Sequence, residues 1–225
     1  MDLNITNYGV VEILGIEIWI TETLVNTWLI SGLLIIFAII VRIALKNFKP
    51  VPGGFQNAVE AIVETFDNFS VGALGEKLNY ISPWYFTVFL YILLSALGSI
   101  FGFRAPTADF STTFALAFAT FVLMIVMGFK HKKDNYLKSF FQPYVVFFPI
   151  NIMGELAKPV SLSFRLFGNM LSGTILLSLY YSLSPLLLQI GIPAVLHGIF
   201  DIFFGVLQTY IFVIISLMYI KGAAD

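Results

Sequence analysis

Arg165 lies in a run that otherwise reads as membrane: from Leu166 to Phe200 the only formal charge is a proton that His197 can carry. An arginine at the centre of a bilayer costs about 2.5–3.5 kcal/mol on insertion scales, so such a residue is rarely idle. Ser161 sits four residues before it and Asn169 four after, with Gly168 and Ser172 near the same side of a helix. That face combines one fixed cation, a few hydrogen-bonding groups and no bulk. It suits close approach by another helix and by a passing ion or carboxylate. The alternative is a guanidinium that snorkels to the interface or pairs internally with a neighbour such as Glu155.

A second polar set follows. His197 and Asp201 are four apart, and Gln208 lies seven further along the same stripe. Gly198 and Gly205 are also seven apart and would let this helix approach its partner closely. A carboxylate beside a histidine within a membrane can relay a proton or a cation, since burial raises the energy of each charged form and each relieves the other. The alternative is a self-contained pair that holds two helices together. Glu155 and Lys158, three apart, fit either an ordinary interfacial ion pair or part of an ion exit route.

These residues need a membrane scaffold, and the composition supplies one. The 225 residues are 59% hydrophobic and 11% charged, as expected of an integral membrane protein. The net charge of −1 gives no reason to expect a nucleic-acid partner. The absence of cysteine rules out disulfides and thiolate metal sites. The first residues carry Asp2, Glu12, Glu17 and Glu22 and no base, so no secretory signal is expected.

Five crossings are predicted. A first span lies between Glu22 and Arg42, a second runs from Leu78 to Phe103, and a third from Phe110 to Phe129. The last two, Ile150 to Tyr181 and Pro193 to Ile220, form an antiparallel hairpin. Both are longer than a ~30 Å hydrocarbon core requires, so tilt or bending is expected, with Pro159 a candidate bend. Pro185 and Pro193 bracket the hairpin turn. Between the first two spans, Phe55 to Phe69 reads as a short amphipathic helix at the inner interface. Val59, Ile62, Val63 and Phe66 are on one side and Glu60, Glu64 and Asp67 on the other. Its acidic face has no pull toward anionic lipid, so it is expected to pack on protein.

Basic residues set the orientation. Arg42, Lys46, Lys49, Lys77, Lys130, Lys132, Lys133, Lys138 and Lys221 fall on one side, Arg104 on the other, and Lys158 and Arg165 are embedded. The N-terminus is therefore placed outside and the C-terminus inside. The fold class is all-α and integral to the membrane, in one domain. Residues 1–23 form an outer segment, 24–142 the peripheral spans and inner loop, and 143–225 an ion-channel hairpin.

No G-x-x-x-x-G-K-[ST], G-x-G-x-x-G or G-x-S-x-G occurs, and His131 and His197 do not suggest a metal site. Neither catalysis nor a cofactor is expected of this chain alone. A secondary transporter binding an anion would be the competing class, but no inverted repeat is visible and the polar residues crowd into one hairpin.

KPVSLSFRLFGNMLSG (Lys158 to Gly173) resembles the signature of the F-type ATP synthase subunit a. The FRAPTADFSTTFALA stretch beginning at Phe103 is similar to that family's outer turn, with Ser111 where asparagine is common. VLQTYIFVIISLMYI (Val206 to Ile220) is similar to its C-terminal motif, and FFPINIMGELAKP has the family form as well. The resemblance implies a bacterial plasma-membrane subunit that carries H+ or Na+ between two offset half-channels and a rotating c-ring. Its implied partners are that ring, a peripheral stalk of b subunits and the remaining ATP synthase subunits. Arg165 matches the arginine that faces the c-ring carboxylate, with Asn169 and Gln208 close to it. Glu155, Lys158 and Ser161 fall in the inner half-channel. Asp201 falls in the outer one, and Arg104 and Asp109 at the turn that leads into it. Many members carry an acid nine residues after the arginine, where this chain has Thr174. Asp201 would then be the sole carboxylate of that part of the path, with His197 sharing its proton.

Overall fold

The computed structural model describes residues 7–13, 16–46, 48, 50–141, 143–185 and 191–225. Lys49 and most of the hairpin turn, residues 186–190, lie outside the described residues. Five helices are long and apolar enough to cross a membrane, and their order matches the sequence expectation.

The chain begins with an element the sequence reading did not foresee. β1 (Asn7–Ile13) pairs antiparallel with β2 (Ile16–Thr21). The signal was present in the β-branched runs on either side of Leu14 and Gly15. β2 passes straight into α1 (Glu22–Ala44), where the Thr21 hydroxyl caps the helix by accepting from the Leu24 amide. Glu22 in the first turn and Arg42 in the last both complement the helix dipole. Leu29, Leu33, Ile36, Ile40 and Ile43 of α1 are exposed, as lipid-facing positions are.

α2 (Gly54–Leu74) is longer than the predicted amphipathic segment. It packs on protein as expected, but through a different stripe. Gln56, Phe66, Ser70 and Leu74 are buried, whereas Ile62 and Val63 are exposed. Its acidic side is partly tied down: Glu60 accepts from Gln56, and Asp67 accepts from Asn79 at 3.0 and 3.1 Å.

The second span is not one uniform helix. A 3₁₀ segment (Glu76–Ile81) leads into α3 (Ser82–Gly98), with Pro83 in its first turn, where no amide donor is missed. After α3, Ser99–Phe101 tightens into another 3₁₀ turn, and Gly102 at φ +82° reverses the chain. The turn that follows then folds into the bundle. Ala105, Pro106, Thr107 and Ala108 are buried, and the Asn26 amide donates to the Arg104 carbonyl at 2.9 Å.

α4 (Phe110–Lys132) is the hub of the bundle. It packs against α6 (Phe148–Leu183) on one side and α8 (Phe204–Ala224) on the other. α8 also lies against α3 and α2. A short α5 (Asp134–Ser139) folds back so that the Tyr136 ring covers Gly128, where a Cβ would come within 2.5 Å of the ring. α6 continues unbroken through Pro159 and is about 54 Å long at 1.5 Å per residue. The last span divides into α7 (Ile192–His197), a π-helical segment (Gly198–Phe203) and α8.

Small residues allow the closest contacts, as membrane interfaces require. A Cβ on Gly205 would sit 2.8 Å from the Ala96 Cβ, so its close approach is to α3 rather than to the hairpin partner. Gly198 has open space around it, and α6 is approached instead at Gly173, which faces Phe200.

Candidate functional site

The two sides of α6 differ in character. Pro159, Leu162, Ser163, Leu166, Gly173 and Leu177 are buried, mostly on the side turned to α4. Ser161, Asn169 and Ser172 are exposed and Arg165 is half-buried. Among the described residues Arg165 has no ion pair and no side-chain hydrogen bond. The two groups that the sequence offered as its neighbours bond to other residues. Glu155 is paired with Lys158 at 2.5 Å, and the Gln208 carbonyl accepts from the Asn169 amide at 2.6 Å. This Asn169–Gln208 bond links α6 to α8, and Gln208 is 2% exposed. The guanidinium is thus a cation with five donors and no partner within the described chain.

Toward the far end of the hairpin, His197 Nδ1 lies 2.5 Å from Asp201 Oδ2, the pair expected from their spacing. The Tyr181 hydroxyl of α6 approaches His197 Nε2 at 3.4 Å. The cluster therefore spans both arms of the hairpin. Asp201 sits within the π-helical segment. A π turn takes in more residues than an α turn, so the stripe through His197 and Asp201 is rotated relative to the one through Gln208. Gln208 accordingly meets Asn169, not Asp201. Thr174, where an acid was looked for, donates to the Met170 carbonyl of its own helix at 2.9 Å. At the turn between α3 and α4, Arg104 pairs with Asp109 at 3.4 Å.

Nearer the start of α6, Lys158 has further neighbours. Its ammonium lies 3.9 Å from the Met124 sulfur of α4 and 5.5 Å from the centre of the Tyr219 ring of α8. Glu155 Oε2 and the Tyr136 hydroxyl are both buried without a hydrogen-bond partner among the described residues. Burial pushes the Tyr136 phenol above its ordinary range, and the Glu155 charge adds to the shift. Ser161 is exposed and lies one turn before Arg165.

The family model described as ATP synthase A chain matches residues 24–221. The chain belongs to that family. Curated relatives agree. It is 35% identical to the sodium-ion-specific ATP synthase subunit a of Propionigenium modestum, over 91% of this chain and 74% of the relative. It is 36% identical to ATP synthase subunit a of Trichlorobacter lovleyi, over 91% and 87%. With Geotalea daltonii subunit a the identity is 35%, over 94% and 91%.

As an ATP synthase subunit a, the chain is a multi-pass component of the Fo membrane sector and works in a complex with other ATP synthase subunits. Three features of this subunit had no clear sequence signal. Tyr181 lay in a Tyr-Tyr pair at a helix end, the π-helical turn leaves no mark in residue types, and Tyr136 is brought to Glu155 only by the fold of α5.

Proposed function

We propose that this subunit is the stator ion channel of a rotary ATP synthase, providing two offset half-channels to a ring of c subunits. An ion, H+ or Na+, enters from outside near Asp201, His197 and Asn169 and reaches a ring carboxylate. Once neutral, that carboxylate can turn into lipid, where its charged form would be prohibitively costly. After nearly a full turn it meets the inner half-channel near Glu155, Lys158 and Ser161 and releases its ion. Arg165 stands between the two routes. It favours the ionised carboxylate as that site passes and repels a cation leaking straight across. Arginine keeps its charge in any protein environment, which a buried lysine does not.

The observation that carries this reading is Arg165 on the uncovered face of α6, with no ion pair or hydrogen bond among the described residues. Its natural complement is a carboxylate supplied by another chain. Arg104 and Asp109 brace the outer turn, and a peripheral stalk of b subunits holds the stator against the ring. The subunit itself makes no ATP: it carries ions for a complex whose catalytic sites are elsewhere. The N-terminus is outside and the C-terminus inside a bacterial plasma membrane. The 24–142 region is the scaffold, and 143–225 the channel hairpin.

The test is Arg165→Ala in the purified, reconstituted complex. ATP synthesis driven by an ion gradient is expected to fall to background. Synthesis at the normal rate would refute the proposal.

A further inference from the structure

We propose that Tyr181 is the outer port of a proton relay, Tyr181–His197–Asp201, and that the ion passing this point is a proton. The inference rests on the reading of Asp201 as part of the outer half-channel. The three groups form a continuous chain. Tyr181 Oη is 3.4 Å from His197 Nε2, and His197 Nδ1 is 2.5 Å from Asp201 Oδ2. Accessibility falls along it. Tyr181 is exposed near the end of α6, the His197 side chain is 25% exposed, and the Asp201 side chain 13%.

Each junction joins a group that can give a proton to one that can take it. With Nδ1–H donated to the Asp201 carboxylate, Nε2 is the acceptor for the Tyr181 hydroxyl. A hydronium gives a proton to Tyr181 Oη as the hydroxyl proton passes to Nε2. The Nδ1 proton then moves to Asp201 Oδ2. The hydronium becomes water, the tyrosine and histidine end neutral, the carboxylate becomes a carboxylic acid, and no co-reactant is needed. Once Asp201 has handed its proton on, water resets the part-exposed histidine: Nδ1 takes up a proton and Nε2–H gives one back, so no net proton is consumed. Among the described residues, these three groups give a metal cation no equivalent route. Hard cations take several oxygen ligands at once, whereas the middle member offers only nitrogen and Asp201 Oδ2 is already held by it.

The experiment uses the whole complex in vesicles, comparing wild type with Tyr181→Phe and Tyr181→Gln. Phe keeps the ring and removes the hydroxyl. Gln keeps a hydrogen-bonding group that relays protons poorly. Assembly is checked by co-purification of the other subunits. Proton flux is read with a trapped pH indicator, in light and heavy water, and sodium flux with radioactive sodium. Both variants are expected to slow proton flux by roughly ten- to a hundredfold and to reduce the solvent isotope effect. Sodium uptake is expected at background in all three.

Unchanged flux in Tyr181→Phe, full flux in Tyr181→Gln, or coupled sodium uptake by wild type would each overturn the relay. Asp201→Asn, run in parallel, separates the two ideas. If it leaves conduction intact, the outer half-channel reading fails. If it blocks conduction while Tyr181→Phe does not, only the relay fails.

Discussion

The two sides of α6 invert the ordinary rule of a soluble helix. Its covered side, against α4, is apolar or small: Leu162 and Leu166 are 2% and 0% exposed, and Ser163 turns its hydroxyl back to the Val160 carbonyl at 2.9 Å. Its uncovered side carries Ser161, Arg165, Asn169 and Ser172. A lipid-facing side should be the most apolar part of a membrane helix, as the exposed aliphatics of α1 are. A side that is uncovered and polar is therefore not made for lipid. Small and apolar residues hold α6 in the bundle. On the function proposed above, the polar side is the part left for a group brought by another subunit.

Arg165→Ala should have the largest effect, abolishing ATP synthesis while the complex still assembles, because no ion pair or hydrogen bond among the described residues depends on the guanidinium. Loss of assembly would mean that the uncovered side is structural after all. Asp201→Asn should slow passive ion conduction by roughly a hundredfold, in the range typical of a lost proton-transfer group. Conduction at the wild-type rate would remove Asp201 from the path.

A change on a covered surface should act through stability instead. Gly205→Val would force methyl groups into Ala96, where even a Cβ has only 2.8 Å. It should cost about 1–3 kcal/mol, read as a lower unfolding temperature of the purified complex. An unchanged transition would show that α3 and α8 can separate without penalty.

The residues of the candidate site were easier to pick out from the sequence than the elements that support them. Arg165 was legible because charge inside a membrane run is rare, and the His197–Asp201 pair because i, i+4 spacing survives into the structure. Asn169 and Gln208 could be assigned to facing helices, yet their direct bond depends on the register after the π-helical turn, which residue types do not encode. The Gly205 contact was attributed to the wrong helix for a related reason. A small residue announces a close approach but not the partner. The inward fold of Ala105 to Ala108 was also hidden, since a short Pro-containing stretch between spans reads as a surface turn until its neighbours are known.

The most direct measurement uses the natural absence of cysteine. Single cysteines are placed at Ser161 and Ser172 on the uncovered side of α6, and at Leu162 and Leu166 on the covered side. Each is paired with a cysteine on the outward-facing helix of the c-ring and oxidised in the intact complex. Disulfides to the ring are expected from positions 161 and 172 and none from 162 and 166. Ring cross-links from the covered positions, or none from either uncovered position, would contradict the claim that the Arg165 face of α6 is the one presented to the ring.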